Sequence, residues 1–441
     1  MQIQLSDHFT LNKLLKFVLP SIIMMIFTSI YGVVDGLFVS NFVGRTAFAA
    51  INLVMPLLMG LSAIGFMIGT GGSAIVAKTL GENEPEKANE YFSFLVYATL
   101  IGGLLFSLSG FFFVKPLVTA LGAEGELLNN CVLYARISFA SLTFFMLQNV
   151  FQSFFVTAEK PKLGLFVIIA AGVTNMILDF LFIAVLNFGL AGAALATVCG
   201  ECIGGLIPIF YFSRNNSSKL KLGKTHFNLK ILIKTCTNGS SELMTNLSIV
   251  NSIYNYQLMK FAGENGVAAY GTIMYVNFIF IAIFLGYSIG SAPIISFHYG
   301  AKNDNELKNL FKKSISLIGS WGIMLFVIAQ LIAGPLAKLF VGYNADLFLI
   351  TKHGFQIFCF AFLINGFNIF GSSFFTALNN GLISAAISFL RTLVFQLSVV
   401  LILPMILGIN GIWISVAIAE LLTLCVTVTC LIRKRKVYHY I

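Results

Sequence analysis

Charge is what this sequence has least of: only 10% of its 441 residues are Asp, Glu, Lys or Arg, against about 25% in ordinary soluble domains. A water-facing surface cannot be assembled from so few. The five histidines are scattered and form no HExxH pair, so the helix of a zinc hydrolase is not expected. No nucleophile–base pair stands out, and an enzyme is not expected. The seven cysteines lie mostly inside apolar runs, where a thiol behaves as a small hydrophobe. Cys199 and Cys202 form a CxxC, but with no second pair or histidine nearby it reads as packing, with no disulfide or metal role.

What the sequence has instead is apolar: 58% of its residues are hydrophobic, with a mean hydropathy of +0.91. Apolar runs longer than 18 residues recur from end to end, which makes lipid the solvent for most side chains. Spans are expected near 14–40, 49–76, 91–114, 131–157, 164–188, 190–213, 232–261, 268–297, 311–334, 351–377, 382–406 and 410–432, twelve in all. The first begins at Leu14 and lacks a small-residue cleavage site, so it reads as a retained span and not a removed leader.

The net charge of +10 could suggest nucleic acid, but in a membrane protein it must first be sorted by loop. Twenty of the 27 lysines and arginines fall on the side of the two termini, five on the other side, and Arg136 and Arg391 within spans. The positive-inside rule then places both termini in the cytoplasm. Topology accounts for the basic excess, and no nucleic-acid partner is expected.

Compared with itself, the sequence repeats at a shift of 219 residues. Gly44 meets Gly263, Gly81 meets Gly300 and Pro116-Leu117 meets Pro335-Leu336; Asn149, Phe151, Ser153, Phe155 and Ala158 meet Asn368, Phe370, Ser372, Phe374 and Ala377; Gly189, Gly192 and Glu201 meet Gly408, Gly411 and Glu420. Six spans per repeat is an even number, so both repeats enter the membrane in the same direction. The expected fold is therefore an all-α integral membrane protein. Its twelve transmembrane helices form two six-helix bundles related by a parallel pseudo-two-fold along the membrane normal. The expected division is 1–213 for the first bundle, 214–230 for a polar, basic cytoplasmic linker and 231–441 for the second. Substrate would bind between the bundles near mid-membrane, and rocking would alternate its access.

An acid at mid-bilayer costs about 2.5–3.5 kcal/mol on insertion scales, so each one calls for a partner, water or a bound ion. Asp35 lies in the first span with Tyr31 one turn away, and Asn175 and Asp179 share a face of the fifth. At shift 219 Asp35, Asn175 and Asp179 become Tyr254, Val394 and Ser398. The acids thus break the repeat, as one coupling-ion site confined to the first bundle would require. Two carboxylates in a low-dielectric cavity cannot both stay ionised cheaply, so a proton or a sodium ion should settle there. Glu201 and Glu420 match across the repeat and read as architectural. Glu242 near the inner end of the seventh span and Arg391 in the eleventh are weaker candidates for a substrate cavity. So are Gln148, Asn149, Phe151 and Gln152 in the fourth span, where amides interleave with rings that could receive a flat lipophilic cation.

Several stretches together resemble the multidrug and toxic compound extrusion (MATE) family over the whole chain. They are Asp35 followed by Phe38-Val-Ser-Asn41-Phe-Val-Gly44, then Ala77-Lys-Thr-Leu-Gly81 and its mate Pro293-Ile-Ile-Ser-Phe-His-Tyr-Gly-Ala301, and Asn175-Met-Ile-Leu-Asp179 followed by Gly189-Leu-Ala-Gly192-Ala-Ala-Leu-Ala-Thr197. The chain is more similar to the DinF-like branch, which includes MepA-like pumps. The resemblance implies a cation-coupled (H+ or Na+) antiporter exporting lipophilic organic compounds. It also implies a coupling-ion site built from Asp35, Asn175, Asp179 and Thr197, with Tyr31 nearby. No cofactor is implied beyond the coupling ion, and the expected setting is a monomer in the cytoplasmic membrane of a bacterium. A branch that uses acids of the second bundle fits less well, since 351–377 contains none. The closest alternative is a flippase for a lipid-linked oligosaccharide or another lipid. Its cavity should present several cations to a pyrophosphate, and only Arg136 and Arg391 lie within spans.

Overall fold

A computed structural model of the chain describes residues 3–245 and 249–441. The side chains of Asp35, Asn41 and Arg45 lie outside the described residues, although the helix backbone that carries them is described.

The described residues form helices and their connections. The first half comprises α1 (Leu11–Phe42), α2 (Arg45–Gly81), α3 (Pro85–Ala120), α4 (Gly125–Thr157), α5 (Pro161–Asp179, continued by a π-helical stretch Phe180–Val185) and α6 (Gly189–Ser213). The second half begins with α7 (Leu229–Thr245), α8 (Ile249–Gly300) and α9 (Asp304–Val341). It continues through α10 (Ala345–Phe358) and α11 (Phe362–Ala377), which are joined by the 3-10 turn Cys359–Ala361. After α12 (Gly381–Phe389) come the π-helical stretch Leu390–Gln396, the short α13 (Leu397–Ile402) and α14 (Pro404–Leu407), and finally α15 (Ile409–Tyr438).

Eleven stretches of helix are long and apolar enough to cross a bilayer. One of them, Leu229–Gly300, takes in the 17 residues of α7 and the 52 of α8, or roughly 104 Å of helix at 1.5 Å per residue, more than three times a hydrocarbon core of about 30 Å. It must cross twice. Gly263, at φ 60° and ψ −152°, breaks the helix at the required place, and the count becomes the expected twelve. The outside is apolar, with Phe112, Leu331 and Met405 each more than two-thirds exposed. In water that would be a fault, and in lipid it is the solvated surface.

The repeat is visible in the backbone itself. Left-handed positions recur at the shift of 219: Gly44 and Gly263, Asn83 and Lys302, Gly189 and Gly408. The shift is not constant to the residue, because α4 spans Gly125–Thr157 and its mate spans Ala345–Ala377, displaced by 220.

The halves touch through pairs of contacts that mirror each other. A Cβ on Gly81 would run into the carbonyl oxygen of Phe297, and one on its mate Gly300 into that of Lys78, itself the mate of Phe297. Likewise Gly71 of α2 lies against Thr235 and Gly239 of α7, while its mate Gly290 of α8 lies against Val18 of α1. A Cβ on Gly286 would meet Ile22 Cα at 2.5 Å. Small residues let helix backbones approach this closely where lipid offers no hydrophobic drive for association. All these contacts fall in the terminus-bearing half of the helices, so the bundles are closed against each other at that end.

The chain start reinforces the same end. Leu5 and Phe9 are completely buried. The Leu5 amide donates to Glu159 Oε1 at 2.7 Å, and Lys219 pairs with the same oxygen at 2.9 Å. The Phe9 amide donates to Glu306 Oε1 at 2.9 Å, and His8 Nδ1 lies 2.6 Å from Glu306 Oε2. Residues 3–9 are thereby tied to both halves. The connection between α6 and α7 is docked along α3, where the Lys221 amide donates to Asn89 Oδ1 at 2.7 Å and Leu220 is fully buried.

Candidate functional site

A cavity of about 160 Å³ lies inside the first half, midway along the helices that enclose it. Close helix packing sets its shape. A Cβ on Gly200 of α6 would come within 2.9 Å of Ala171 O and 3.2 Å of Asn175 Cβ, and one on Gly172 of α5 within 2.6 Å of Phe27 and 3.1 Å of Tyr31. Glycines at these two positions bring α5 against both α1 and α6. Tyr31, Asn175, Thr197 and Glu201 then converge on one wall, with Gln148 and Asn149 of α4 on another. Most of the remaining lining is apolar, and among the described residues no lysine or arginine is part of it.

The polar groups are differently held. Thr197 Oγ1 donates to Ala193 O at 3.1 Å, which turns its lone pairs toward other donors or an ion. Asn149 Nδ2 donates to Ser62 O at 3.2 Å and is fixed by α2. Asn175 is buried, and neither end of its amide has a hydrogen-bond partner among the described residues. An amide in that condition is ordinarily met by water or by an ion.

Of the residues expected to bind a coupling ion, Tyr31, Asn175 and Thr197 share this cavity. Asp179 lies one turn beyond Asn175, completely buried at the end of α5 just before the π-helical stretch. Asp35 lies on α1 one turn beyond Tyr31, and its side chain is outside the described residues.

The expected substrate set does not stay together. Gln148 and Asn149 line the same first-half cavity. Phe151 instead stacks on Phe212 at 5.7 Å and belongs to the packed core with Phe154 and Phe155. Gln152 is buried and is not part of the lining. Helical spacing alone could not say which rings face a cavity and which face α6.

Glu242 and Arg391 are in the second half. Arg391 is engaged in an ion pair: its Nε and Nη2 lie 2.7 and 2.6 Å from Glu420 Oε1, and both side chains are buried. Asn368 Nδ2 donates to Glu420 Oε2 at 2.7 Å, and its Oδ1 accepts from Thr427 Oγ1 at 3.0 Å. Oriented to satisfy its neighbours, the Asn365 amide donates to Glu420 Oε1 at 3.1 Å. The charge of Arg391 is matched within the bundle, which removes the reason for expecting it at a substrate.

Among the cavity residues that were not expected at the site are Tyr134 and Glu201. Glu201 had a signal, an acid in mid-span, but its match to Glu420 pointed to architecture.

Against this geometry, the sequence pattern of the MatE family matches the chain twice, over residues 20–181 and again over 243–402. The chain belongs to the MatE family. Its two matches fall one in each half, as the repeat requires. Among curated relatives, the multidrug export protein MepA of Staphylococcus haemolyticus (strain JCSC1435) is 25% identical over 418 residues, covering 94% of this chain and 91% of that one. MepA of Staphylococcus aureus (strain MRSA252) is 25% identical over 430 residues, covering 96% and 93%. Among solved structures, an outward-facing multidrug resistance MATE family transporter of the MOP superfamily superposes with a TM-score of 0.92 at 22% identity, over 98% of this chain and 97% of that one. A MATE crystal structure in the straight conformation gives 0.90 at 22% identity, over 97% and 96%. These structures establish the fold, and the family match establishes membership.

Proposed function

We propose that this MatE protein is an antiporter that exports lipophilic, cationic organic compounds and is driven by a proton or sodium ion bound in the first half. The observation that carries the reading is the first-half cavity. It gathers an acid, two tyrosines, three amides and three hydroxyls of Ser and Thr on a mostly apolar lining with no basic side chain among the described residues, a set that suits a cation and not an anionic headgroup. Asp35 and Asp179 lie one helical turn beyond the cavity residues Tyr31 and Asn175 on α1 and α5. The lack of a basic lining also weighs against a flippase for pyrophosphate-linked lipids.

The basic terminus-bearing ends belong in the cytoplasm by the positive-inside rule, and the membrane is the cytoplasmic membrane. With that orientation the present contacts close the cytoplasmic end. Ion binding at Asp35 and Asp179 favours one arrangement of α1 and α5, and substrate favours the other, so each displaces its rival by differential affinity for the two states.

The test is transport in proteoliposomes with imposed pH or sodium gradients and ethidium as probe. Ethidium should move against its gradient only when one of the two ions is supplied, and Asp35→Asn or Asp179→Asn should abolish the movement. Undiminished transport in both variants would overturn the site.

A further inference from the structure

The fifth span of each half carries one charged residue at the start of a π-helical stretch, and the two have opposite sign. In the first half Asp179 immediately precedes Phe180–Val185; in the second Arg391 is the second residue of Leu390–Gln396. A π-helical stretch shifts hydrogen bonding from i+4 to i+5 and is enriched at functional positions. The sixth spans keep their matched acid, Glu201 in α6 and Glu420 in α15. At the shift of 219, however, Arg391 corresponds to Gly172.

We propose that Arg391 is a tethered cation that holds Glu420 permanently matched, filling in the second half the role that a mobile coupling ion has in the first. This inference rests on the first-half coupling site proposed above. Coupling would then involve one bundle only, because the other carries its cation covalently. The contacts support it. The guanidinium places two nitrogens on Glu420 Oε1, while Asn368 and Asn365 complete the carboxylate. The other titratable groups facing the pair are Glu242 of α7, whose carboxylate feels the Arg391 charge, and Tyr254 of α8, whose hydroxyl is bonded to Ser415 at 2.8 Å. Removing the arginine would leave a buried carboxylate with amide donors but no cation, and a buried carboxylate in that state takes up a proton in preference to remaining charged.

The experiment uses the full-length purified protein and infrared difference spectroscopy between acidic and neutral buffer, in which each buried carboxyl that takes up a proton contributes its own carbonyl band. Arg391→Met should gain one carboxyl band absent from the wild type, and adding Glu420→Gln should remove it. Arg391→Lys, which keeps the charge, should resemble the wild type. If Arg391→Met does not fold, the charge-neutral double variant Arg391→Met/Glu420→Gln answers the same question, since replacing a buried ion pair by neutral groups of similar size is often tolerated. Its spectrum should match the wild type band for band. Loss of a wild-type band in the double variant, or no gain in a folded Arg391→Met, would overturn the proposal. Transport by Asp179→Asn separates the two readings: undiminished ion-driven ethidium movement there would contradict the first-half site while leaving the Arg391 bands to stand or fall by themselves.

Discussion

The two halves of this protein share a scaffold to the level of single backbone angles, yet they handle charge in opposite ways. Gly44 and Gly263, or Gly189 and Gly408, turn the chain alike, and Gly81 and Gly300 make the same contact in mirror image. In the first half the polar residues open onto a cavity. In the second they close on one another around Arg391 and Glu420. The halves share the framework, and the difference we propose is whether the cation is a visitor or a side chain.

The largest expected effect that could break this comparison is in the first half. Asp179→Asn should eliminate gradient-driven ethidium export while leaving the protein folded, measured by flux in proteoliposomes alongside thermal unfolding. Next comes the second half, where the loss should appear in stability. Glu420→Gln leaves Arg391 buried without its counter-charge and should cost about 3–5 kcal/mol, while the double change Arg391→Met/Glu420→Gln should recover most of it. Thermal unfolding in a single detergent reads both. If the single and double variants are equally stable, the pair is not the internal closure described here.

A smaller effect tests the symmetry. Gly81→Ala and Gly300→Ala each place a Cβ against a backbone carbonyl of the other half, an overpacking worth about 1–3 kcal/mol. Because the two sites are mates, both should weaken the closed terminus-bearing end to a similar degree, seen as a longer distance between spin labels on α2 and α8. A large effect from one and none from the other would show the contact to be asymmetric.

The smallest effect concerns the chain start. Burial raises the Asp7 pKa, but the hydrogen bonds from Lys13 and the Gln4 amide outweigh it and hold the carboxyl below its usual value of 3.8. A lowered folded-state pKa means the contribution is present at neutral pH and is lost as the pH falls below that value. The pair is partly exposed and screened, so Asp7→Asn should cost about 0.2–1 kcal/mol near pH 7. The difference in unfolding temperature between variant and wild type should shrink toward zero in strong acid.

Much of the fold was legible because hydropathy and a self-comparison are strong signals in a membrane protein. The twelfth span was legible in the separate apolar runs 232–261 and 268–297, and the match of Gly263 to Gly44 marks the break between them. The convergence of Asn175 and Thr197 was legible through the family resemblance, and Tyr31 through its spacing from Asp35. Less was visible where facing mattered: Phe151 has the same spacing as a cavity residue but packs on Phe212. The Arg391–Glu420 pair was hidden for a different reason. Its members are 29 residues apart, and at the shift of 219 Arg391 falls opposite Gly172 and not Asp179, so the self-comparison does not set the two charges side by side.

The most direct measurement is the ion flux that accompanies ethidium export in proteoliposomes carrying Asp179→Asn, set beside liposomes carrying Arg391→Met/Glu420→Gln. The account predicts no coupled ion movement in the first and the wild-type ratio of ions to ethidium in the second. Retained coupling in the first together with a lowered ratio in the second would place the coupling ion in the other half and contradict it.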